Sequence, residues 1–203
     1  MLTFLPGVVA RPAIMAKGVV MENEKEDQPL SSEDLQLLDR TEVREEDAAQ
    51  FSPELVGESV EEFTTEHREN LYQMILKMSV PQKIRLAMLG NREARKLLVR
   101  DRNRVISMAV LRSPKITESE ILRFAQEKST PEDVILVICK HKTWLTKYPI
   151  KLALVTNPKT PLSQAIQLLP HLHDKDLQGL SRNKNIPSVL SQTAWQVFRK
   201  RRP

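Results

Sequence analysis

A chain of 203 residues with 31 basic and 26 acidic side chains carries a formal charge of only +5, because the two signs are segregated. Residues 21–70 hold 17 acids against 4 bases, a net of −13, and residues 71–203 hold 25 bases against 9 acids, a net of +16. One cysteine excludes an internal disulfide framework, five scattered glycines exclude a glycine-rich phosphate loop, and the lack of any run of about 18 apolar residues excludes a membrane-spanning helix.

The opening MLTFLPGVVARPAIMAKGVV is apolar and carries Arg11 and Lys17, as a targeting segment does. Its charge falls in the middle, however, and Pro6 and Pro12 interrupt the apolar run. Two readings stay open: a cleavable targeting segment, or an over-extended start with Met21 opening the chain proper. The acidic stretch that follows has only scattered Leu, Val and Phe. That is too little apolar surface to offset roughly 1–2 kcal/mol of backbone entropy per ordered residue. Residues 1–60 are therefore expected to form a disordered acidic arm, and residues 61–203 a basic α-helical domain.

From Thr65 the pattern turns helical, with Leu71, Met74, Ile75 and Met78 at spacings of three and four on one face. Ser79 and Gln82 form a capping-box pattern that opens a helix through Ile84, Leu86 and Leu89, closed by Gly90 and Asn91. Leu97, Leu98 and Val99 mark another short turn of helix, and Val105 to Leu111 the next. After the break at Ser113-Pro114, Thr117 and Glu120 repeat the capping box before Ile121, Leu122 and Phe124. Thr130-Pro131 predicts an N-cap at Thr130 with Pro131 as the first helical residue, leading into Val134 to Cys139. Thr160 is expected in the same way to cap a helix that buries Ala165 and Leu168. Tyr148-Pro149 and Ile186-Pro187 punctuate the remainder, so every helix is short.

Leu86-Ala87-Met88-Leu89-Gly90-Asn91 aligns with Met108-Ala109-Val110-Leu111-Arg112-Ser113 at an offset of 22 residues, and Leu152-Ala153-Leu154-Val155-Thr156-Asn157 follows 44 further on. Pro114-Lys115 matches Pro158-Lys159, and Asn183 to Pro187 echoes Asn157 to Pro161. Helices this short bury their apolar stripes only by stacking on neighbours, so these internal repeats predict a solenoid. The turn Asn157-Pro158-Lys159-Thr160-Pro161, followed by Ala165, Leu168 and Leu169, resembles the signature of the leucine-rich repeat variant family. The chain is also similar to uncharacterised bacterial proteins carrying that turn. The resemblance covers residues 80 to 198 and is sharp in one repeat, and the drifting spacing keeps HEAT or armadillo-like repeats as the competing class. It implies an all-α, short-helix solenoid and supplies no catalytic residue.

Three sets of residues invite a chemical reading. His171, His173, Asp174 and Asp176 offer metal-ligand types, but Asp174 is placed to cap the helix through Leu177 and Leu180, and no metal site is assigned. Cys139 and His141 lie two apart, which on a helix points them to different faces, so Cys139 reads as a small core residue. Trp144 and Trp195 are read as packing between repeats rather than as base-stacking platforms. No catalytic residue and no cofactor is expected.

The bases cluster as Lys83 and Arg85; Arg92, Arg95, Lys96, Arg100, Arg102 and Arg104; Lys140, Lys142 and Lys147; and Arg199, Lys200, Arg201 and Arg202. In a solenoid, equivalent positions of successive repeats line one face, so these residues are the candidate stripe for a polyanion or an acidic protein partner. Aromatic residues are 4% of the chain, and no aromatic–basic interleaving of a single-strand binder is present. The reading is a non-enzymatic scaffold, cytoplasmic and monomeric, that binds another protein and no membrane. The alternative is a sequence-nonspecific nucleic-acid binder that uses the same basic face.

Overall fold

The computed structural model describes residues 31–41, 43–57 and 64–201. Among them it holds twelve α-helices, three short 3-10 helices and no strand. The helices are α1 (Ser32–Arg40), α2 (Pro53–Val56), α3 (Thr65–Leu76), α4 (Val80–Leu89), α5 (Arg92–Leu98) and α6 (Arg104–Leu111). They continue with α7 (Glu118–Gln126), α8 (Glu132–Lys140), α9 (Tyr148–Thr156), α10 (Leu162–Leu168), α11 (Asp174–Arg182) and α12 (Ser188–Arg201). All but α3 and α12 have ten residues or fewer, below the length at which a helix holds itself together in water, so packing must stabilise them.

Local signals start and stop these helices. The Ser79 N–H donates to Gln82 Oε1 at 2.9 Å, and at α7 the Thr117 N–H reaches Glu120 Oε2 at 3.0 Å. Asn91 and Asn103 cap α5 and α6 by accepting from the backbone of Ala94 and Val105. Gly90 ends α4 at a point of close approach, where a Cβ would sit 2.4 Å from the Leu86 carbonyl oxygen.

At Thr130-Pro131 and Thr160-Pro161 the helices begin one residue later than predicted. Pro131 and Pro161 are themselves the N-caps, and their carbonyls accept from Ile135 and Ala165 at 3.3 and 3.0 Å. A capping hydroxyl reaches the first amides only from the residue directly before the helix. Each threonine stands one step too early, and its Oγ1 is buried with no hydrogen-bond partner. Asp174 likewise does not cap α11: His173 is the N-cap, and Asp174 sits in the first turn.

The core runs without a break along the chain. Ile84 and Leu86, Leu98, Ile106, Ile121 and Phe124, Ile135 and Ile138, Ile150 and Leu154, Leu177, and Leu190 are all buried. From α4 onward, α4 packs on α6, α6 on α8, α7 on α9, α9 on α10, α10 on α12 and α11 on α12. Every principal contact there joins a helix to the next or the next but one.

The disordered acidic arm expected over residues 1–60 does not extend over those of them that are described, 31–41 and 43–57. Residues 1–30 lie outside them, whereas α1, the 3-10 helix Glu45–Gln50 and α2 are packed on α6, α4 and α5. Ser31 and Asp34 form a capping box that opens α1. Leu38, Phe51 and Leu55 are buried. Three well-placed apolar side chains suffice here because the surface they cover already exists. Under α1, every side chain of α6 from Val105 to Leu111 is buried.

Candidate interface: the basic side chains and the turns that join the helices

The residues aligned at the 22-residue offset share one role. Asn91, Ser113 and Asn157 each follow a helix, each is buried, and each donates to a carbonyl at the end of an earlier helix. Asn91 Nδ2 reaches the carbonyls of Glu54 and Gly57 at 2.7 and 2.9 Å. Ser113 Oγ reaches Met88 at 3.1 Å, and Asn157 Nδ2 reaches Ala125 at 2.7 Å. After Ser113 and Asn157 the lysine two residues on also donates to a carbonyl: Lys115 Nζ to Leu89 O at the end of α4 at 3.1 Å, and Lys159 Nζ to Thr130 O in the turn before α8 at 2.6 Å. Helix C-termini leave carbonyls without intrahelical donors, and these turns supply the missing protons from outside the helix. Asn183 repeats the Asx turn of Asn157, accepting from the backbone two residues on at 2.8 Å, as against 2.9 Å for Asn157.

Of the fifteen candidate bases, Arg202 lies outside the described residues and fourteen can be placed. Arg95 is buried and turned inward: its Nε and Nη2 grip Glu120 at 2.8 and 3.0 Å while Nη1 donates to Gly90 O at 2.7 Å. Lys83 pairs with Asp101 at 2.8 Å, Arg85 with Asp47 at 3.6 Å and Lys96 with Glu93 at 3.4 Å. Arg100 pairs with Glu127 at 2.6 Å, Arg104 with Asp133 at 3.3 Å and Lys147 with Glu118 at 2.9 Å. Arg201 bonds Asp174 at 2.8 Å and the carbonyls of Leu172 and Pro170. Arg92, Arg102, Lys140, Lys142, Arg199 and Lys200 are exposed. The turn of helix holding Arg92, Arg95 and Lys96 thus sends one side chain to solvent, one into the core and one to its own Glu93.

Among the described residues Glu120 is the most enclosed carboxylate, at 1% exposure. Burial raises its pKa, but the hydrogen bonds from Arg95 and Thr117 outweigh that and hold it below the ordinary carboxylate value. Cys139 is buried, and desolvation pushes its thiol up to about 11, so at neutral pH it is protonated and weakly nucleophilic. Tyr148 joins α9 to α11. Its hydroxyl contacts Asp176 and accepts from the His173 N–H at 3.1 Å, and its ring stacks on His173 with centroids 4.0 Å apart. Burial first, and then the bond to Asp176, raise its pKa.

His171 and His173 are exposed, and among the described residues no three His, Cys, Asp or Glu side chains are grouped to hold a metal ion. Trp144 is half-buried against the core and stacks on His141 at 3.8 Å. Trp195, expected to pack between repeats, is 45% exposed, with Phe198 stacked beside it. No described helix is long and apolar enough to cross a membrane.

Sequence reasoning missed a groove of about 630 Å³ between α3, the start of α4 and the turn from α5 to α6, with Tyr72, Leu76, Leu97, Arg100 and Arg102 in its lining. Its signal was present in α3, where apolar residues fall on both faces: Leu71 and Ile75 are buried, whereas Tyr72, Met74 and Leu76 are exposed. Compared with family models, curated proteins and solved structures, the chain finds no match in any of the three.

Proposed function

We propose that this chain is a non-enzymatic α-solenoid scaffold, of the short-helix leucine-rich-variant or HEAT-like kind, that binds another protein. The contacts between near neighbours from α4 onward and the recurring turn-to-carbonyl bonds at Asn91, Ser113 and Asn157 support the solenoid arrangement. The observation that carries the choice of partner is the fate of the bases. At least eight of the fourteen placed candidates lie within 4.0 Å of a carboxylate among the described residues. A base already neutralised releases few counterions on meeting a phosphate, so the net charge overstates the polyanion surface. The test is affinity capture from a lysate with and without nuclease. A defined protein partner retained after nuclease supports the scaffold, and loss of all captured material under nuclease contradicts it.

One observation favours the second reading. Lys140 and Lys142 are exposed on either side of His141, which stacks on Trp144, giving a small basic and aromatic edge. Sequence-nonspecific nucleic-acid binding there predicts that Lys142→Glu and Trp144→Ala each weaken capture of single-stranded nucleic acid. The scaffold reading predicts no such capture.

A further inference from the structure

We infer that the groove between α3 and the α5–α6 turn is a docking site for an acidic, amphipathic peptide segment of another protein. The inference rests on the scaffold reading and gives it a place and a partner chemistry. Of the six large apolar side chains left exposed among the described residues, three are on α3: Tyr72 at 42%, Met74 at 40% and Leu76 at 49%. Tyr72 and Leu76 turn toward the groove, where half-buried Leu97 faces them. The lining carries three bases and a single acid. Lys83 and Asp101 neutralise each other at 2.8 Å, and the Arg100 side chain, 40% exposed, is held by Glu127. Arg102 is exposed and makes no ion pair among the described residues. An aliphatic wall beside an uncompensated guanidinium suits a ligand with large apolar side chains and carboxylates on one strip. A phosphate backbone would satisfy Arg102 but would leave Leu76 and Leu97 uncovered.

The experiment uses the full chain and a fluorescein-labelled probe peptide, EELEEFLEE, read by fluorescence polarisation. Saturable binding is expected, with Arg102→Glu and Leu76→Ser each weakening it by about tenfold or more. Both positions are exposed, so neither change removes a core contact. Lys175→Glu and Val189→Ser make the same chemical changes at exposed positions outside the groove and should leave binding unchanged. The lysine analogue KKLKKFLKK should not bind.

The inference is overturned if the probe does not saturate, or if Lys175→Glu weakens it as much as Arg102→Glu, which would mean diffuse charge. Displacement by excess random-sequence duplex DNA would reassign the groove to phosphates. Concentration-dependent dimerisation abolished by Leu76→Ser would assign it to a second copy of the chain. The two proposals fail separately. If a nuclease-resistant protein partner is captured equally well by Arg102→Glu and Leu76→Ser, the groove is wrong and the scaffold stands; if none is captured, the scaffold reading itself falls.

Discussion

The stretch from α4 to α8 and the stretch from α9 to α12 are joined by different chemistry. In the first, charges tie the helices together: Lys83 to Asp101, Arg95 to Glu120, Arg100 to Glu127 and Arg104 to Asp133. In the second, backbone carbonyls are the usual acceptors. Asn157 reaches the end of α7 at the Ala125 carbonyl, Lys159 the Thr130 carbonyl in the turn before α8, and Arg201 the carbonyls of Leu172 and Pro170. A buried ion pair fixes geometry strictly because either partner alone is costly, whereas a bond to a carbonyl is indifferent to mild acid. The front therefore turns on one buried ion pair, Arg95–Glu120, whereas the back, where the pair Arg201–Asp174 is part-exposed, relies more on carbonyl acceptors.

The largest effect should come from Arg95. Arg95→Ala leaves Glu120 buried without its partner and should cost about 3–5 kcal/mol, read as the shift in urea midpoint. A midpoint that hardly moves would show that the pair is dispensable and erase the contrast. At the back, Asn157→Ala strands the Ala125 carbonyl and should cost about 1–3 kcal/mol. That loss should be the same at pH 7 and pH 5.

Acid sharpens the comparison. The Glu120 carboxyl has a lower pKa in the folded chain than the ordinary 4.5, so the unfolded chain binds its proton first as the pH falls. The stability it contributes is complete above that ordinary value and is lost as the pH drops through the folded one. Glu120→Gln should therefore flatten the stability-against-pH curve below about pH 4.5, and Asn157→Ala should leave its shape unaltered. The smallest effect carries the opposite sign. Thr130→Val replaces a buried hydroxyl that has no partner and should raise the stability by about 1 kcal/mol, read as a higher urea midpoint, where a capping threonine would lose a similar amount.

What the sequence disclosed follows the range of each interaction. The capping pairs Ser79–Gln82 and Thr117–Glu120 and the Asn157 turn act within a few residues, and the structure has them where the pattern put them. Thr130 and Thr160 misled because a hydroxyl one residue before the N-cap looks the same in sequence as one at it. The fate of Arg95 depends on Glu120, 25 residues away. A local signal was available even so, because Arg95 falls beside Ala94 and three residues before Leu98, among the buried residues of α5. Residues 31–57 misled for another reason: composition averages over a segment, whereas docking needed only Leu38, Phe51 and Leu55 at the right places.

The central claim is that most of these bases serve the fold and not a polyanion. The direct test is a salt titration of the full chain against random-sequence duplex DNA. The expected result is a dissociation constant no tighter than roughly tens of micromolar at near-physiological salt, with a log–log slope equivalent to about three phosphates or fewer. Sub-micromolar affinity with a slope equivalent to about six phosphates or more would contradict it, because bases tied to Asp101, Glu120, Glu127 and Asp133 could not then be so occupied.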